Sequence, residues 1–128
     1  MRTGIIGSIL NMTSYKPSDI VLVKFPFSNL EENKKRPALV LCVSKIAEKQ
    51  SLLSVAMITS QIEGLEINGD ILIRDWKESH LLHPSKLRLS KIATLDDFLV
   101  QKKIGQLSSF DKKQTQSVFQ KLYKVWIA

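Results

Sequence analysis

Apolar residues along most of this chain recur at every second position or in short unbroken runs. Only near the C-terminus does the period lengthen to that of a helix. The segment Asp19-Ile-Val-Leu-Val-Lys-Phe25 is rich in β-branched residues and lies between Pro17-Ser18 and Pro26, which predicts a first strand. Phe27–Lys35 is polar and of mixed charge and predicts a loop. Pro37–Val43 is continuously apolar, as a central buried strand is, and Leu52–Ile58 within Ser51–Ser60 predicts a third strand. Leu65–Ile73 alternates around Asn68-Gly69, giving either a hairpin or one bulged strand. In Ser85–Thr94 the pattern points Leu87, Leu89 and Ile92 one way and Lys86, Arg88 and Ser90 the other. Lys102–Leu107 predicts a further short strand.

The last element is an amphipathic helix. Ser108 and Asp111 have the spacing of a capping box, with Asp in place of the usual Glu. Thr115, Val118, Phe119, Leu122, Val125 and Trp126 follow at spacings of 3 and 4, and Lys112, Lys113, Lys121 and Lys124 lie mainly on the solvated side. Phe119 and Trp126 are available for the core or for a dimer seam, and the core is the expected place because amphipathic faces usually bury within the chain. No repeat or linker divides the chain. The pattern therefore predicts a mainly β (α+β) protein, a small β-barrel capped by a C-terminal helix. The domain is expected to span residues 14–128, with residues 1–13 a non-structural extension and Met12 a candidate native start.

A length of 128 residues fits one domain, and 44% hydrophobic and 24% charged residues are ordinary for a globular protein. Charge adds more. Lys and Arg number 19 against 12 Asp and Glu, a formal net charge of +7. Such an excess points to an acidic partner: nucleic acid, a membrane surface or an acidic protein. No stretch approaches the run of about 20 apolar residues that crosses a bilayer. The apolar patch Ile5–Leu10 is too short for a signal-peptide core and no small-residue cleavage site follows it. The single Cys42 excludes an intramolecular disulfide and a Cys-cluster zinc site, and fits a reducing cytoplasm.

Generic catalytic motifs are absent: there is no Gly-rich phosphate loop, G-x-S-x-G or H-E-x-x-H. His80 and His83 stand three apart, but Pro84 argues against a helix there and no Cys or carboxylate pair completes a metal site. They read as loop histidines. The cations are more informative. Lys34-Lys35-Arg36 lies at the entry to the second strand, and Lys86, Arg88 and Lys91 lie on or near the fifth. These clusters either converge on one face that tracks a phosphate backbone or form two solvated edges. Arg36 is rigidly placed by Pro37, and its planar fork can clamp a phosphate.

The order Asp19-Ile-Val-Leu-Val-Lys-Phe-Pro26, a polar loop, Lys35-Arg-Pro-Ala-Leu-Val40, Ile58-Thr-Ser60, Leu87-Arg-Leu-Ser-Lys-Ile-Ala-Thr-Leu-Asp96 and Lys103-Ile-Gly-Gln-Leu107 resembles the MazF/PemK (Kid) toxins of type II toxin–antitoxin systems. The resemblance runs from about Pro17 to the C-terminal helix. It implies an SH3-like barrel, usually a homodimer, in the cytoplasm. It also implies an mRNA interferase that cuts single-stranded RNA without metal or other cofactor, inhibits translation and growth, and is held inactive by an acidic antitoxin. In such cleavage the ribose 2′-OH attacks its own phosphate and leaves a 2′,3′-cyclic phosphate and a 5′-OH. The chemistry needs a proton acceptor, a proton donor and cations facing the developing negative charge.

Position by position, the resemblance sets Arg36 on the family's catalytic Arg and Thr59 on its catalytic Thr. Arg88 falls on an Arg that serves as acid or phosphate stabiliser, Glu31 on a loop position where some members carry a functional Glu, and Ser60 on an RNA-contacting position. Lys34, Lys35, Lys86, Ser90 and Lys91 are the remaining candidate RNA contacts. Arg36 is a poor base because guanidinium stays protonated, so its expected work is charge stabilisation, with proton donation as a second candidate role. Thr59 would orient the 2′-OH or hold a phosphate oxygen. The chain also departs from the family. Ser90 stands where members have an acid, Leu30 where PemK/Kid has a His, and Ala93 where members have an Arg. The general base is therefore unassigned among Glu31, His80 and His83. Two other readings stand beside the nuclease: a CcdB-like gyrase-binding toxin on the same barrel, and a non-catalytic RNA-binding barrel.

Overall fold

The computed structural model describes residues 14–24 and 34–127. Six strands form one sheet: β1 (Asp19–Lys24), β2 (Lys35–Ala47), β3 (Gln50–Thr59), β4 (Asp70–Leu72), β5 (Lys86–Asp96) and β6 (Val100–Gln106). A 3₁₀ turn (Asp97–Leu99) joins the last two strands, and the helices α1 (Ser109–Leu122) and α2 (Lys124–Ile127) follow. The strand order is β4-β5-β3-β2-β1-β6, and every pair is antiparallel. The edges β4 and β6 do not pair, so the barrel predicted from sequence is a curled but open sheet.

Both faces of this sheet are buried, which explains why its central strands read as apolar runs. Alternation sends neighbouring residues to opposite faces. Ile20, Leu39, Ala56, Ile58, Leu87 and Leu89 form one core, over which Val118 and Leu122 of α1 pack. Val21, Val23, Ala38, Val40, Leu53, Val55 and Leu95 form the other, against Tyr15, Leu99 and Val100. Curling follows from irregular register: bulges interrupt the pairing at Ile20/Val21 and Leu22/Val23 on β1, Val40/Cys42 on β2 and Ala56/Met57 on β3. The last of these corrects one expectation. Across it β5 jumps from Ile92 to Arg88, and Ile92, which strict alternation would place opposite Leu87 and Leu89, pairs with Ala56 and is 38% exposed while Leu87 and Leu89 are buried.

The Leu65–Ile73 run is neither a hairpin nor a long strand. Only Asp70–Leu72 pairs, behind a turn at Gly69, whose φ of 101° suits glycine. The helix begins as predicted, with the Ser108 hydroxyl accepting from the Asp111 N–H at 3.2 Å. It breaks at Tyr123, and beyond the break Val125 and Trp126 turn outward, Trp126 being 83% exposed. Trp126 is thus not part of the core, and neither is Phe119, which is 38% exposed. No helix among the described residues is long and apolar enough to cross a membrane.

Candidate functional site

One cleft of about 410 Å³ opens where the N-terminal end of β2 meets the C-terminal end of β3. From the start of β2 and the residue before it come Lys34, Lys35 and Arg36; from β3 and the residues after it come Thr59, Ser60 and Gln61. Pairing sets Ala38 opposite Met57, and two residues further along each strand stand Arg36 and Thr59. On the other flank β1 pairs Val23 with Arg36, and the cleft continues across β1 to Lys102 and Ile104 of β6. The connection between β4 and β5 supplies the remaining wall: His80, Leu81, Leu82, His83 and Ser85.

Each reactive group has a local reason for its position. Pro37 holds Arg36 in the extended region. The Thr59 hydroxyl accepts from the Gln61 backbone N–H at 3.1 Å, a short turn that leaves its own O–H to donate to a substrate oxygen. The wall from Arg74 to Ser85 is closed at its base by the Ile73 N–H donating to the Ser85 carbonyl at 3.0 Å. Within it the Ser79, His80 and Leu81 N–H groups donate to the carbonyls of Asp75, Lys77 and Trp76.

A buried carboxylate fastens that wall to the helix. Asp111, 1% exposed, accepts from the backbone N–H groups of Arg74 at 2.9 Å and Asp75 at 2.8 Å. Ser108 donates its hydroxyl to Asp75 at 2.7 Å. The hydrogen bonds from Arg74 first, and then from Ser108, hold the Asp75 carboxyl below its ordinary pKa. A carboxyl with a depressed folded pKa stabilises the fold above its unfolded pKa, and that contribution fades as pH falls through the folded value. Asp75→Asn is therefore expected to flatten the fall of Tm on acidification below about pH 4, read by thermal melts across a pH series. A fall as steep as the wild type's would remove Asp75 from this role.

The sequence-derived candidates separate into two places. Arg36, Thr59, Lys34, Lys35 and Ser60 share the cleft. Arg88 and Lys86 do not: both turn to Asp70, at 3.8 and 3.4 Å, and Arg88 also donates to the Leu65 carbonyl at 3.1 Å. The Lys86 side chain is only 5% exposed and the Asp70 side chain 2%, so this cluster is a buried tie between β4 and β5. Ser90 donates to the Asn68 carbonyl beside the Gly69 turn, and Lys91 is exposed on the same strand. The two basic clusters therefore do not converge. Glu31, Leu30 and the extension of residues 1–13 lie outside the described residues. Lys102 is a cation of the cleft that sequence reading did not single out, because only the β1–β6 pairing brings it there. Among the described residues no three His, Cys, Asp or Glu side chains gather to hold a metal ion.

A family model described as the PemK-like, MazF-like toxin of type II toxin–antitoxin systems matches residues 16–123. The chain belongs to this toxin family. Its fold is similar to an endoribonuclease in complex with its cognate antitoxin from a mycobacterial species. That likeness has a TM-score of 0.63 at 9% identity and covers 84% of this chain and 93% of the other. It is also similar to toxin MazF-mt6 of Mycobacterium tuberculosis, with a TM-score of 0.62 at 18% identity over 85% and 97% of the two chains. At such identities the likeness is one of fold. No curated protein matches the chain in sequence.

Proposed function

We infer that this toxin is an endoribonuclease acting on single-stranded RNA in the cleft between β2 and β3. The observation that carries the reading is the meeting of Arg36 and Thr59 in one cleft with Lys34, Lys35 and Lys102. Lysines along the walls neutralise the phosphates that flank the scissile one. Arg36 faces the charge that builds on the reacting phosphorus, and Thr59 donates its hydroxyl to a phosphate oxygen. Cleavage proceeds by attack of the ribose 2′-OH and leaves a 2′,3′-cyclic phosphate and a 5′-OH. Arg88, tied to Asp70, acts on β5 as a support for the β4 edge, and Lys86 likewise. The cytoplasm is the compartment, a homodimer the working form, and loss of translated mRNA the route to growth arrest. The cationic cleft also suits the acidic chain of a cognate antitoxin, which would exclude RNA by occupying it.

Incubating the purified protein with a long single-stranded RNA in EDTA tests this. Discrete cleavage with cyclic-phosphate ends is the expected result. RNA binding without cleavage would make the chain a non-catalytic RNA-binding barrel instead. The lysines make a second, quantitative prediction. Each phosphate contact contributes about 0.7 to the slope of log affinity against log salt for a single strand. Lys102→Ala is expected to lower that slope by about 0.7, measured on an uncleavable 2′-deoxy oligonucleotide. An unchanged slope would place the strand away from β6.

A further inference from the structure

Arg36 and Thr59 leave the proton transfers of the reaction without owners. Guanidinium and ammonium groups stay protonated near neutral pH, and a hydroxyl is not a base there. Among the described residues, the charged groups around the cleft are Lys34, Lys35 and Arg36 at the start of β2 and Lys102 from β6, with no carboxylate among them. Two imidazoles line the same cleft, both from the connection between β4 and β5: His80 and His83. Histidine is the side chain whose ordinary titration lies between pH 5 and 8, so it can both accept and donate a proton at neutrality.

The His80 turn is built rather than incidental. His80 has a φ of 66°, a conformation that non-glycine residues seldom adopt and that surrounding structure must enforce. Here the enforcement is visible. The His80 N–H donates to the Lys77 carbonyl at 3.0 Å, and Leu81 beside it is buried in the first core. Behind the turn lies Gly105 of β6. A Cβ there would stand 2.5 Å from the Ser79 carbonyl oxygen and 3.0 Å from His80 Nδ1, so only glycine lets the turn seat against the strand. Asp111 anchors the start of the same wall through the Arg74 and Asp75 backbone. His83 is placed from the other end, where its carbonyl accepts from the Ser85 hydroxyl at 2.8 Å just before β5 begins.

We propose that His80 and His83 are the proton-transfer pair of this toxin, acting on RNA held between Arg36 and Thr59. The inference rests on the endoribonuclease reading. One imidazole takes the proton of the ribose 2′-OH as the O2′–P bond forms. The P–O5′ bond breaks, its electron pair leaves with O5′, and the other imidazole, in its protonated form, supplies the proton that makes the 5′-OH. No water enters this step, and exchange with solvent returns both rings to their starting states.

The experiment compares wild type, His80→Ala and His83→Ala on single-stranded RNA in EDTA, with affinity measured on a 2′-deoxy oligonucleotide. Each variant is expected to cleave at least about 100-fold more slowly with unchanged affinity, and to lose one limb of the wild-type pH–rate profile. Added imidazole is expected to restore part of the rate. A substrate whose leaving O5′ is replaced by sulfur needs no protonation, so it is expected to rescue the variant lacking the donor and not the other. A near wild-type rate in either variant, or a rate loss matched by an equal loss of affinity, overturns the pair while leaving the nuclease reading intact. Absence of cleavage by the wild type overturns both. Gly105→Ala supplies an independent arm: by pushing the turn off β6 it is expected to lower the cleavage rate without changing the salt slope, and a rate equal to wild type counts against a built His80.

Discussion

Replacing Arg36 with alanine is expected to lower RNA cleavage by about 10²–10³-fold and to leave the fold intact. The size follows from the task assigned to the side chain. A donor aimed at charge that exists only in the transition state contributes far more to rate than to ground-state binding. Arg36 also neutralises one phosphate, so affinity for an uncleavable oligonucleotide falls modestly and the salt slope by about 0.7. The split between these readouts separates a catalytic from a merely cationic role. Arg36→Lys keeps the charge but loses the planar fork, and is expected to recover the salt slope without recovering the rate. Single-turnover cleavage and binding titrations at several salt concentrations check both. Equal losses of rate and affinity in Arg36→Ala would reduce Arg36 to a phosphate anchor.

The largest effect on stability is expected at Asp111. Its carboxylate is buried at 1% exposure and accepts two backbone N–H groups of the neighbouring wall as well as sitting in the first turn of α1. Asp111→Ala leaves the Arg74 and Asp75 N–H groups without their acceptor and removes a negative charge from a helix N-terminus. Together these are expected to cost about 3 kcal/mol, a fall in Tm of roughly 10 °C. Asp111→Asn keeps one acceptor oxygen and is expected to lose about half as much. Thermal and urea melts of both variants decide it. Because the same wall carries His80 and His83, cleavage is expected to fall in both variants well below their melting temperatures. A wild-type Tm for Asp111→Ala would mean that the helix and the wall are held by other contacts.

Much of this arrangement was legible from local pattern. Alternation and unbroken apolar runs located the strands, because a strand's neighbours on one face are two residues apart. The capping pair Ser108 and Asp111 marked the start of α1 for a similarly local reason. The same reasoning failed where distant contacts intervene. The pattern groups Ile92 with Leu87 and Leu89, but it lies beyond the irregularity opposite Ala56/Met57 and is 38% exposed. Trp126 carried the right spacing for the buried stripe, yet the helix breaks at Tyr123 and sends it into solvent. Spacing along a helix predicts burial only while the helix continues.

The candidate site divides in the same way. The residue types needed for phosphate chemistry, above all Arg36 before Pro37 and Thr59 at the end of an apolar run, stand out along the chain. Its net charge of +7 likewise sets the expectation of an acidic partner without any fold. Neither says which cations work together. Lys86 and Arg88 look as available as Lys34 and Lys35 in sequence, but Asp70 draws the first two into a tie between β4 and β5. Lys102 carries no motif at all and reaches the cleft only through the pairing of β6 with β1. His80 and His83, bland as loop residues, line the cleft only because the connection between β4 and β5 packs against Gly105 of β6 and is tied to Asp111 at its start. Local sequence reports the nearest neighbours that backbone geometry imposes. The company a side chain keeps across the sheet depends on register, bulges and buried charge, and these are settled only when the whole chain packs.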